Sequence, residues 1–170
     1  MFVTLMMLLA APQAAPDPLA QARAGKLQCI QPNKEKKTCL AIGSYTVKPD
    51  GSYESSVTVL INPAPAMTME THSKGKVENG QVCGLILKED YDAAKLMMGD
   101  APMDETMAAG VRTQIGSVLG PMIGKKGCSA EKAEGEMMVS EVSLDGVAHP
   151  EMTQRFIWVG KDEGYTLGMP

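Results

Sequence analysis

Aromatic side chains are scarce in this chain: four tyrosines, two phenylalanines and one tryptophan among 170 residues. A core must therefore be filled mainly by methionine, valine, leucine and alanine. Histidine is scarcer still, with only His72 and His149, which leaves little general-base chemistry. No G-x-S-x-G elbow, H-E-x-x-H pair, C-x-x-C pair or phosphate-cradling glycine loop occurs. The glycines of "IGSVLG" around Ser117 stand at the wrong offsets for an elbow, and a helical stripe runs through them. Adjacent acids such as Glu89-Asp90 and Asp104-Glu105 are more simply partners of helix N-termini than an acid and base pair. An enzyme is therefore not expected, and a hydrolase ranks a distant third among the functional readings.

Long apolar runs are also missing. The longest, Phe2 to Ala11 in "MFVTLMMLLAAPQAA", carries no charged side chain but is too short to span a bilayer. It reads as an export signal over residues 1–22, although no Lys or Arg precedes it. The best small-x-small cleavage site is Ala20-Gln21-Ala22, leaving Arg23 near the mature N-terminus, and an earlier cut near Ala14 or Ala15 is the alternative. No cysteine follows in a lipid-attachment context, so the mature chain is expected to be secreted or periplasmic, with no transmembrane anchor. Residues 23–170 suit a single domain. The net charge of −4 becomes −3 without the leader, whose one ionisable side chain is Asp17, and this mild acidity argues against nucleic acid as a partner. Basic residues do gather at Arg23, Lys26, Lys34, Lys36 and Lys37 with only Glu35 opposing them. A solvated loop is the plainer reading, a patch for anionic lipid or polysaccharide the sharper one.

What the chain does contain is an even set of cysteines, Cys29, Cys39, Cys83 and Cys128, which an oxidising compartment turns into bridges. Three pairings exist. The polar "CIQPNKEKKTC" stretch with its Pro-Asn turn favours a hairpin closed by Cys29 and Cys39, leaving Cys83 with Cys128. "TCLAIGSYTV" and "SYESSVTVLI" alternate β-branched and aromatic residues around a "KPDG" reversal. "MTMETHSKGKV" and "QVCGLIL" flank "ENG", whose Asn-Gly favours a tight primed turn. The period then changes. Leu87, Tyr91, Ala94 and Met98 recur at helical spacing in "LKEDYDAAKLMMGD", and a second helix is expected behind an Asp100 cap with Pro102 in its first turn. Its stripe of Met103, Met107, Val111, Ile115, Val118 and Met122 has few charged residues behind it, so burial on more than one side is expected. Past Cys128 come strands in "GEMMVSEVSL", "EMTQRFIWVG" and a short "GYTLG". Phe156 and Trp158 share one face of their strand, and Ile157 and Val159 the other, as in a central strand buried on both sides. The expected fold is α+β: an antiparallel sheet of hairpins with a two-helix insertion packed on it, stapled by disulfides.

Fourteen methionines, three of them in the leader, are the class most out of proportion. Thioether and imidazole suit copper, so Met67, Met69 and His72 with His149 and Met152 could form a soft-metal site. Two-residue alternation, however, places His72 on the opposite strand face from both methionines, which leans them toward the core. No cofactor is expected on the leading reading. Copper is the alternative. The stripe from Met103 to Met122 is the candidate face for an apolar small molecule, held between helix and sheet, or for an envelope protein. Taken together, "KTCLAIGSYTVKPDGSY", "VCG" and the closing "FIWV…GYTLGMP" resemble a group of small exported proteins of Gram-negative bacteria with no assigned activity. The resemblance implies a periplasmic address and carries no site residues. The leading expectation is a non-enzymatic binding or envelope-associated module.

Overall fold

The computed structural model describes residues 16–170. Its strands are β1 (Leu27–Asn33), β2 (Thr38–Val47), β3 (Ser52–Pro63), β4 (Ala66–Glu78), β5 (Gln81–Leu85), β6 (Lys95–Met98), β7 (Ala101–Pro102), β8 (Lys126–Glu134), β9 (Met137–Leu144), β10 (Val147–Ala148), β11 (Gln154–Val159) and β12 (Thr166–Leu167). Helices are α1 (Ala20–Arg23), α2 (Lys88–Asp92) and α3 (Glu105–Leu119). Each expected hairpin forms. At "KPDG", Lys48 N donates to the Ser52 carbonyl and Gly51 adopts a φ of 82°. Asn79 and Gly80 both take positive φ, which a two-residue primed turn requires. The first hairpin turns at residues 34–37, just beyond Pro32-Asn33, because the Asn33 side chain accepts from Lys36 N and holds the reversal there.

These hairpins close on themselves. Strand β2 pairs with β1 and β3, β3 with β4, β4 with β5, β5 with β8, β8 with β9, β9 with β11, and β11 returns to β1. Every one of those pairings is antiparallel, so eight strands form an up-and-down barrel. Barrel closure leaves none of the eight as a free edge. At the lower end, Arg23 of α1 donates to the Lys48 carbonyl in the turn between β2 and β3, and Leu19 inserts into the barrel. Leu19 is wholly buried against Tyr53, Val82 and Ala22, with Tyr45, Val47, Val77 and Trp158 around them. Of the expected 1–22 leader, the apolar run lies outside the described residues, whereas Leu19 and Ala22 belong to the domain core.

The two-helix insertion is corrected. Only α3 is a full helix; α2 has five residues, and Lys95–Met98 at the end of the expected first helix is strand β6. The cause is β4, which runs for 13 residues while β5 pairs with only its last four, residues 75–78. Its first half would leave backbone donors and acceptors unpaired, and β6 pairs with residues 67–70 to satisfy them. Pro102 sits in β7 rather than a helix, and the cap is Asp104, whose carboxylate accepts from Met107 N at 3.0 Å. The excursion leaves and re-enters the barrel at one neck: Ile86 N donates to Lys125 O, and Gly124 N to Ile86 O. Nor is α3 buried on several sides, since Ala108 is its sole buried residue. No described helix is long and apolar enough to cross a membrane.

Both favoured disulfides are present. Cys83 and Cys128 stand directly opposite each other on β5 and β8, and Cys29–Cys39 ties β1 to β2. The latter lies in a second core with Val159, Leu27, Ile42, Ile157 and Tyr165, where the C-terminal segment adds β12 beside β2. The early basic residues are dispersed among partners: Arg23 with Asp17, Lys34 with Glu136, and Lys37 with the Glu163 carbonyl.

Candidate functional site: the barrel lumen

Residues directly opposite each other in an antiparallel pair share a face, so the register assigns the inner wall. Gln28 lies opposite both Gly43 and Trp158, Tyr45 opposite Ser55, and Ser55 opposite Ser73. Continuing round, Tyr53 faces Gly75, Val82 faces Ser129, and Glu131 faces Ser140. This parity holds through all eight strands and returns to its start. The inner wall therefore collects four of the seven aromatics. Tyr45 and Tyr53 meet edge to face at 5.6 Å, Tyr45 lies 6.2 Å from Trp158, and Phe156 packs against Trp158 at 5.6 Å.

Polar groups on this wall are largely matched. The Tyr45 hydroxyl donates to Gln28 Oε1 at 2.9 Å, the Tyr53 hydroxyl to the Cys83 carbonyl at 3.0 Å, and Ser55 and Ser73 share a bond of 2.8 Å. Tyr53 can reach across because its opposite residue is glycine: a Cβ on Gly75 would overlap both the Cys83 carbonyl oxygen and the phenol. Burial pushes the Tyr53 phenol up to about 12, and raises Tyr45 further with help from the charge of Glu131.

Side chains do not fill the interior. A cavity of about 280 Å³ remains, walled by Tyr53, Ser55, Val57, Thr71, Ser129 and Val142, with Asp90 and Tyr91 of α2 at its upper rim. Desolvation raises both rim groups above their ordinary values. A second cavity of about 490 Å³ lies under the N-terminal segment, bounded by Pro16, Pro18, Lys26, Glu131, Met138 and Trp158. Glu131 is the one charged residue that the register turns inward on the eight barrel strands. Its Oε2 is buried without a hydrogen-bond partner among the described residues, and burial pushes the carboxyl up to about 7.

Of the residues singled out from sequence as metal ligands or an apolar face, His72 borders the cavity of about 280 Å³ and the others fall elsewhere. Met67 and Met69 pack with Leu96, Met103, Ala108 and Val111, so these two methionines fill a core. His72, on the other face of β4, is largely exposed and 3.3 Å from Glu70. His149 and Met152 lie in the connection from β9 to β11, where His149 Nδ1 is 2.7 Å from Glu151. Strands β5 and β8 stand between β4 and β9, so the soft-ligand set is divided. Among the described residues no three His, Cys, Asp or Glu side chains gather as a metal cluster. The α3 stripe divides too. Met103 is buried, Val111, Ile115 and Met122 are half-buried, and Met107 and Val118 are 43% and 69% exposed. A groove of about 410 Å³ lies between α2 and α3 rather than between helix and sheet, with Tyr91, Arg112, Ile115 and Leu119 among its walls.

Sequence reasoning missed Gln28, Tyr45, Tyr53, Glu131 and Trp158 as a site. Strand alternation correctly paired Phe156 with Trp158, but β8 was invisible as a strand because "KGCSAEKAE" is rich in charge and small residues. Comparison with protein-family models, curated protein sequences and solved structures found no match for the chain.

Proposed function

We propose that the protein is a secreted or periplasmic, non-enzymatic binding protein whose barrel lumen holds one small molecule. The observation that carries this reading is a closed eight-stranded barrel that keeps a cavity at its centre. Eight strands give an interior that side chains can just fill or that can hold one small ligand. Here glycines at 84 and 127 and serines at 55, 73 and 129 line a middle layer that stays underfilled. Aromatic walls with a few convergent polar groups are the usual furnishing of a small-molecule site. The two disulfides support the address outside the cytosol.

Trp158 is the sole tryptophan and lines the lower cavity, which makes its fluorescence a direct reporter. Native mass spectrometry of protein purified from its own envelope should show a small molecule bound one to one. Ser129→Leu, which fills the central cavity, should abolish that binding while thermal unfolding stays cooperative, and the molecule should shift the emission of Trp158 through Tyr45 of the cavity wall, 6.2 Å away. An unliganded native protein with Trp158 unresponsive to a broad small-molecule panel would end the reading. A second reading, docking of an envelope protein, draws on exposed Met107 and Val118 of α3. Met107→Lys with Val118→Lys would abolish such docking without altering Trp158 emission.

A further inference from the structure

We propose that the lower half of the lumen is a site for a small organic ammonium ion, with Glu131 as counter-ion and Trp158 as aromatic wall. This rests on the lumen reading above and specifies the ligand class. Hydrogen bonding on the inner wall is out of balance. The other buried polar side chains there bond to one another: Tyr45 to Gln28, and Ser55 to Ser73. Glu131 Oε2 is left without a donor, although a buried acceptor without one is costly. Tyr45 is an aromatic whose ionisation feels the Glu131 charge, yet its hydroxyl hydrogen is committed to Gln28 Oε1 at 2.9 Å.

The other charged groups lining this cavity do not supply the missing donor. Lys26 makes no hydrogen bond to Glu131 Oε2 among the described residues, and Asp17 is engaged by Arg23 and by Leu19 N. A ligand bearing N–H donors and positive charge compensates the carboxylate of Glu131, which lines the cavity. A neutral donor can bond the carboxylate but brings no compensating charge, and an anion meets like charge. The wall points the same way: Trp158 lines the same cavity as Glu131, and an indole face attracts a cation within about 6 Å of the ring centre. The cavity of about 490 Å³ admits a small amine and its apolar body, with Met138 as a yielding wall.

The test uses the full chain and three matched probes: phenethylamine, phenethyl alcohol and hydrocinnamate, followed by Trp158 fluorescence and calorimetry. The amine is expected to bind about tenfold or more tightly than the alcohol, and hydrocinnamate most weakly. Glu131→Gln should remove that preference by weakening the amine about tenfold while leaving the alcohol within about twofold. Carboxyl NMR of Glu131 should show its titration moving to lower pH when the amine is present. Equal affinity for amine and alcohol, or equal loss of both in Glu131→Gln, would overturn the ammonium assignment while leaving a lumen ligand intact. A lumen that binds none of the three probes, in a protein whose native ligand is shown to be an anion or a neutral molecule, would overturn the assignment alone. No bound molecule of any kind would overturn both.

Discussion

Glu131→Gln should make the protein more stable at neutral and alkaline pH and leave it unchanged in acid. In the folded chain burial raises the carboxyl from 4.5 to about 7, so between those values the native state holds a proton that the unfolded state has lost. Stability therefore falls as pH rises through this window, because the slope has the sign of protons bound unfolded minus protons bound folded. At full weight the difference corresponds to about 3 kcal/mol. The carboxyl keeps partial access to water through the lower cavity, which reduces the expected effect to about 1–2 kcal/mol. The glutamine amide has nearly the shape of the protonated acid, and the buried Oε2 has no bond to lose. Urea denaturation of both proteins at about pH 4, 6 and 8 measures this, and the melting temperature at the highest of these should rise by about 3–8 °C. A variant whose stability relative to the parent is the same in acid and at alkaline pH would refute the claim that burial in the lumen sets the Glu131 protonation. A variant destabilised in acid would show instead that Glu131 makes a bond the structure does not contain.

The plug, the disulfides and the glycine opposite Tyr53 are each open to the same kind of test. Leu19→Ala should cost about 2–5 kcal/mol, since Leu19 is wholly buried, and a chain beginning at Arg23 should lose at least as much. Mass spectrometry of exported protein is accordingly expected to find the mature N-terminus upstream of Leu19, near Ala14 or Ala15; an N-terminus at Arg23 would contradict the core. Replacing Cys83 and Cys128 together by serine should cost about 4 kcal/mol in the chain-entropy account, given a separation of 45 residues, as read by chemical denaturation. The corresponding loss for Cys29 and Cys39, separated by 10, should be smaller, at about 3 kcal/mol. Gly75→Ala should destabilise by about 2 kcal/mol or more, because its methyl displaces Tyr53 from the Cys83 carbonyl; a neutral change would show that the lumen can widen there.

Local chemistry was legible where it acts within a few residues. Turn residues at Pro49-Asp50-Gly51 and Asn79-Gly80, and the alternation of Phe156 with Trp158, declared hairpins and faces from the chain itself. Cysteine spacing around a polar reversal favoured Cys29 with Cys39 and thereby left Cys83 with Cys128. Helical spacing misled at residues 94–98, since a period read in isolation carries no knowledge of the unpaired edge of β4 awaiting a partner.

Closure of the barrel was a different kind of fact. It depends on β11 pairing with β1, from opposite ends of the domain, and on β5 meeting β8 across the whole helical excursion. The sequence by itself determined which residues share a face, where the chain reverses and which cysteines can meet, because each follows from bonds and sterics between near neighbours. Only the tertiary structure decided that the sheet has an inside, that Leu19 plugs it and that Glu131 stands within it without a donor. Those properties belong to strands far apart in the chain, and a carboxylate's surroundings, unlike its alternation, are not written in its neighbours.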